Sequence, residues 1–113
     1  MNNLGVQAEK IAADFLIGQG LSLITQNYAC KHGEIDLIMR DGKTTVFVEV
    51  RLRSNSAFGG ASMSITKSKQ TKLSRTAEHY LQLHGNMDCR FDAILMSKAD
   101  AAHIEWVKNA FDS

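Results

Sequence analysis

The sequence predicts an α/β domain, a mixed β-sheet flanked by helices in the order αβββαββ. Three observations lead there. Apolar residues recur at helical spacing in two segments, two β-branched runs flank Asp41 and Gly42, and a helix separates the third strand from the fourth. The last feature matters most for topology, because parallel neighbours need a long crossover whereas antiparallel ones need only a tight turn.

Taken in order, Leu4, Ala8, Ile11, Ala12, Phe15 and Leu16 define a first helix from Leu4 to about Ile17, which Gly18 and Gly20 stop. Residues 21–30, LSLITQNYAC, read as a strand that ends near Asn27 or Tyr28. Residues 34–40 and 44–53 are strands by their β-branched content and alternation, with Asp41 and Gly42 as the two-residue hairpin loop. Ile65, Leu73, Ala77, Tyr80 and Leu81 mark a second helix from about Thr66 to His84, ended by Gly85 and Asn86. RFDAILMS, residues 90–97, is a buried strand, and HIEWVKNA, residues 103–110, is one near the edge.

The chain has 113 residues, 44% hydrophobic and 22% charged, within the usual range for one compact domain spanning 1–113. No stretch approaches the roughly 18 apolar residues of a membrane span, and the first residues lack the pattern of a secretory signal. A soluble, cytoplasmic protein is expected. Cys30 and Cys89 lack zinc-ligand spacing and are expected to be reduced, buried thiols. The formal charge of +1 hides an asymmetry: from Lys31 to Arg75 there are nine basic residues against four acidic ones. A basic side suits a polyanion, whose condensed counterions are released as Lys and Arg neutralise phosphates; a solvated charged surface is the alternative.

The hairpin GEIDLIMRDGKTTVFVEVRLR, residues 33–53, sets two carboxylates among Ile, Leu and Val. Alternation gives Val46, Val48, Val50 and Leu52 one face and Phe47, Glu49, Arg51 and Arg53 the other. With Asp41 and Gly42 as the loop, Arg40 faces Lys43, Asp36 falls opposite Phe47, and Glu34 opposite Glu49. Asp36 and Glu49 are then diagonal neighbours on one face, with backbones about 7–8 Å apart. An odd-length loop or a bulge would separate them. Two carboxylates on an apolar sheet repel each other and lose hydration unless a proton or cation compensates. Mg²⁺ or Mn²⁺ would do so, since a hard dication takes one or two carboxylates and fills its remaining positions with water and substrate phosphate. Arg51, two residues after Glu49, is placed to stabilise charge on phosphorus. Charges on a solvated amphipathic hairpin are the alternative reading.

The ordered set GVQAEKIAADFL, GEIDLIMRDGKTTVFVEVRLRS, FGG, ITKSKQTKLSRTAEHYL and RFDAILM resembles the YraN family of small bacterial proteins, over about Gly5 to Met96. The resemblance implies the restriction-endonuclease-like fold of the PD-(D/E)XK superfamily and a metal-dependent endonuclease acting on structured or branched DNA, or on RNA. The alternative is a catalytically inactive nucleic-acid-binding or assembly module of the same fold. By that resemblance Asp36 and Glu49 are the metal-binding acids and Glu9 an acid on the first helix that completes the site. The motif's lysine position holds Arg51, which cannot act as a general base but can grip phosphate. Three outcomes are open. Arg51 serves electrostatically, Lys69 or another lysine of the second helix reaches the site instead, or the domain binds without cutting.

Arg53, Lys67, Lys69, Lys72 and Arg75 are candidate contacts to a nucleic-acid backbone, and Phe58 could stack on a base, its alternative being a tucked loop aromatic. Arg90 and Asp92 flank Phe91 and are expected to pair with charges at strand ends. His32, His79, His84 and His103 share no metal-ligand spacing, and a glycine-rich phosphate loop is absent from the sequence. A homodimer is expected from the small size, with no interface indicated.

Overall fold

Residues 33–52 alternate in hydrophobicity about a glycine, and the computed structural model folds them into the central hairpin. The structure describes residues 4–52, 65–85 and 88–111. Its elements are α1 (Leu4–Gly18), β1 (Ser22–Cys30), β2 (Gly33–Asp41), β3 (Thr44–Leu52), α2 (Lys67–His84), β4 (Cys89–Met96), a single 3₁₀ turn at Ala101–His103, and β5 (Ile104–Phe111). The five strands form one sheet in sequence order, and the β3–β4 pair, joined through α2, is the parallel one. The αβββαββ order and mixed sheet are those the sequence predicts.

The sheet is covered on both faces. Ala8, Ala12 and Leu16 of α1 pack on Met39, Val46, Val48 and Ile94. Leu73, Ala77 and Tyr80 of α2 pack on Ile38, Phe47 and Phe91 on the other side. Burying each of the larger side chains contributes about 1.5–3 kcal/mol, and the alanines let the helices sit close to the sheet. Thr66 caps α2 by accepting the Lys69 N–H at 3.1 Å. The strand β3 keeps the predicted faces, with Val46 and Val48 toward α1 and Phe47 toward α2.

Three expectations need correction. The hairpin loop is Gly42–Lys43, not Asp41–Gly42, because Asp41 pairs with Thr44 and Arg40 with Thr45. Gly42 takes φ 62° at the first central position, a conformation costly for any residue with a Cβ, and Asp41 is held in the strand by Arg90 at 3.0 Å. The shift moves the pairing by two, so each residue keeps its face but gains a different partner. β1 continues to Cys30 because Asn27 absorbs a distortion in the left-handed region, φ 54°, and pairing resumes at Tyr28↔Ile35. The two cysteines are free but not buried. Cys30, the last residue of β1, is half-buried, and Cys89, the first of β4, is exposed.

Gly33 fixes how closely α2 approaches. Its φ is +150°, and a Cβ there would lie 3.3 Å from Thr76 Oγ1 and 3.6 Å from Lys72 Cβ. The helix therefore sits directly on the β1–β2 turn. One turn earlier in the helix, Lys69 is brought over β3.

Candidate metal and phosphodiester site

β2 loosens from both neighbours at a single residue. The ladder with β3 runs from Asp41↔Thr44 to Leu37↔Val48, and the ladder with β1 passes from Leu37↔Gln26 to Ile35↔Tyr28 without an Asn27↔Asp36 pair. Alternation slips there as well: Ile35 and Ile38 both join the α2-side core although an odd number of steps separates them. Asp36, half-buried, uses its carboxylate in place of a backbone carbonyl and accepts the Val50 N–H at 2.8 Å. Its side chain thus occupies the seam between β2 and β3 rather than a regular position on one face, as strict alternation would have had it.

Glu49 follows from β3's alternation, pointing to the α2 face with only 7% of its surface exposed. Its one ion-pair partner among the described residues is Lys69, whose Nζ lies 3.3 Å from Oε2. Burial, reinforced by the Asp36 charge, pushes the Glu49 carboxyl up to about 7; Lys69 and, less strongly, Arg51 pull the other way. Lys69 is part-exposed, so its compensation is incomplete. Arg51 stands nearby with its Nε buried and without a hydrogen-bond partner. Such a donor is costly to leave unmade, and an anionic ligand could satisfy it.

Glu9, on α1, approaches the same seam from the opposite side of the sheet. Its carboxyl is raised by partial burial and then by Asp36, while a hydrogen bond to Asn27 opposes the shift. Asn27 was not singled out in the sequence. Its signal is an amide residue inside an otherwise strand-like run, the residue type that tolerates φ > 0 and so can distort an edge strand without a glycine.

The structure therefore places Lys69, Arg51 and Asp36 about Glu49, and Glu9 beside Asp36. Lys67, Lys72 and Arg75 are exposed on α2 and do not enter the seam. Arg53 and Phe58 lie outside the described residues. Among those described, no three His, Cys, Asp or Glu side chains converge closely enough to hold a metal ion by themselves. Any dication here would draw on the carboxylate pair, with water and ligand oxygens as the rest. Arg90 meets a strand-end charge as expected, Asp41 at 3.0 Å, but it also pairs at 3.0 Å with Asp92, so these two residues partner each other.

Comparison with known proteins agrees with the resemblance seen in the sequence. A family model described as "Uncharacterised protein family UPF0102", the YraN family, matches residues 8–96. A UPF0102 protein of Methylobacillus flagellatus is 57% identical over 113 residues, covering all of both chains. One from Nitrosomonas europaea is 57% identical over 97% of this chain and 94% of its own length, and one from Saccharophagus degradans is 47% identical over 97% and 93%.

Proposed function

This chain belongs to the uncharacterised protein family UPF0102, and we propose that it binds nucleic acid and hydrolyses phosphodiester bonds with Mg²⁺ or Mn²⁺ at Asp36 and Glu49. The observation that carries the reading is the buried Glu49 carboxylate beside Asp36, undercompensated by a single part-exposed lysine. The donor set fits a hard dication: oxygen ligands, two charges, and a third acid, Glu9, at the margin. When bound, such an ion would polarise the phosphodiester and make a water more acidic.

The chain's own residues have separable tasks in this reading. Lys69 takes up the position left by the absent motif lysine, its ammonium close enough to Glu49 to orient a water or meet a non-bridging oxygen. Arg51 keeps its charge at any working pH and, with an unengaged Nε, stabilises negative charge on the phosphoryl group. Lys67, Lys72 and Arg75 hold the backbone from the exposed side of α2, and DNA with a branch or a displaced strand suits a domain too small to wrap a duplex. A second reading, a binding module that does not cut, is favoured by the Lys69–Glu49 ion pair, which already gives the buried acid a cation.

The test incubates wild type, Asp36→Ala and Glu49→Ala with four-way-junction, flap, single-stranded and duplex substrates, in Mn²⁺ or EDTA. Metal-dependent cleavage lost in both variants is the expected result. Cleavage that survives either substitution rejects the site. Binding that weakens steeply with salt, without cleavage, assigns the second reading. No binding to any substrate rejects both.

A further inference from the structure

The outer face of α1 and the strand beside it form a groove that meets the proposed site at one end, at Glu9. It has a volume of about 380 Å³ and runs between α1 and β1. Val6, Ile17 and Leu23 line it and are 67%, 47% and 38% exposed, three of the five large apolar side chains exposed among the described residues. Lys10, Ala13 and Asp14 lie between Val6 and Ile17 along the same helical face, because positions 6, 10, 13 and 17 are spaced at i, i+4, i+7 and i+11. Isolated exposed apolar residues are ordinary, but three of them around one groove, with a charge pair between two of them, mark a contact surface.

We infer that this face is the interface of a two-fold homodimer of this chain. A two-fold axis perpendicular to α1 and midway between Lys10 and Ala13 makes the two α1 helices antiparallel, and residues whose numbers sum to about 23 or 24 then meet. Val6 falls on Ile17 of the second copy and Lys10 on Asp14 of the second copy, so apolar positions meet apolar ones and opposite charges meet twice. That self-complementarity is what an isologous contact requires.

The sheet edges point the same way. β5 carries Glu105 and Lys108, charges that discourage another strand from pairing, whereas β1, Ser22–Cys30, has no charged residue and no proline along its nine positions. An edge so lightly defended is safer covered, and the groove runs alongside it. The acidic and polar end of the groove, Glu9 and Asn27, abuts the Asp36 seam. The dimer would therefore set two seams on either side of its axis.

Sedimentation velocity over micromolar to near-millimolar concentration gives the first test: wild type should shift from monomer to dimer. Ile17→Asp, at a half-exposed position, should remain monomeric with an unchanged helical circular-dichroism spectrum. Lys10→Glu and Asp14→Lys should each weaken association by about tenfold or more, since each apposes like charges twice. Mixed together, the two variants should form a heterodimer, because at these two positions one chain then carries only basic side chains and the other only acidic ones. That rescue cannot come from the ion pair within a helix. Wild type monomeric throughout, dimerisation undiminished in Ile17→Asp, or no heterodimer in the mixture would each overturn the assignment.

Discussion

Two buried acids sit almost side by side in the sheet, on opposite faces, and have opposite surroundings. Asp92 on β4 pairs in register with Val48, and Glu49 is the next residue along β3. Asp92 is 1% exposed and faces α1; it receives Arg90 Nε at 3.0 and 3.2 Å, Trp106 Nε1 at 2.9 Å and the Asn109 N–H at 3.0 Å. Glu49 faces α2 and, among the described residues, has Lys69 as its one ion-pair partner, at 3.3 Å. Asp92 has its lone pairs filled by the protein itself. Glu49 has been taken out of water without full replacement, and that shortfall marks a place where a ligand can enter.

The strongest way to break the comparison is to delete the satisfied acid. Asp92→Ala leaves Arg90 with Asp41 as its remaining acid and strips the Arg90 Nε, Trp106 Nε1 and Asn109 N–H donors of their acceptor, and should lower unfolding free energy by about 3–5 kcal/mol in a urea titration. It should also loosen β5, since Asn109 sits in the left-handed region, φ 54°, with its N–H on Asp92. If the loss is under about 1 kcal/mol, the size of one ordinary hydrogen bond, Asp92 is not a structural keystone.

Glu49 should behave in the reverse sense. Its folded carboxyl titrates near 7 and its unfolded one near the ordinary value of 4.5, so between those values the folded state holds a proton that the unfolded state has released. Stability from this group therefore falls as pH rises from about 4.5 to 7, by something on the order of 2 kcal/mol, and is level above that. Glu49→Gln should remove this slope and be as stable as wild type, or more so, at pH 8. Unfolding titrations across that pH range measure it, and equal slopes in the two proteins would mean that Glu49 is not held up by its surroundings.

A smaller effect isolates the partner. With Lys69→Met, the largest opposing influence on Glu49 disappears, so its midpoint should climb above that of wild type, read from the side-chain carboxyl resonance in ¹³C NMR. Because Lys69 is part-exposed, the fold itself should lose under about 1 kcal/mol. An unmoved midpoint would show that the pair at 3.3 Å does not couple in solution.

The contrast between the acids was only partly legible in the sequence. TTVFVEVRL alternates so regularly that the face of Glu49 follows from the pattern, and the helix-borne crossover follows from α2 lying between β3 and β4. The exact hairpin register does not, because Asp-Gly and Gly-Lys are both acceptable two-residue loops, and the choice rests on which position can take φ > 0 and on Arg90 holding Asp41 from two strands away. Asp36's place in the seam was hidden for a similar reason. It depends on Asn27 releasing β1 at the level where β3 also lets go, a conjunction of two ladders that neither strand's pattern contains. Lys69 was anticipated both as a phosphate contact and as a lysine able to reach the site; only the close seating of α2 on Gly33 brings it to Glu49.

The gentlest change sharpens the comparison most. Lys10 and Asp14 form an ion pair at the same 3.3 Å as Lys69 and Glu49, but with 76% and 64% of their side chains exposed, against 42% and 9%. Distance being equal, burial is the variable. In the exposed pair water screens both charges, and Lys10→Ala should change the monomer's unfolding free energy by no more than roughly a few tenths of a kcal/mol. In the sheltered pair the same separation leaves an acid with a visibly altered titration. A monomer stability loss at Lys10 as large as that at Lys69 would remove burial as the reason Glu49 differs, and with it the physical ground for reading the seam as a site.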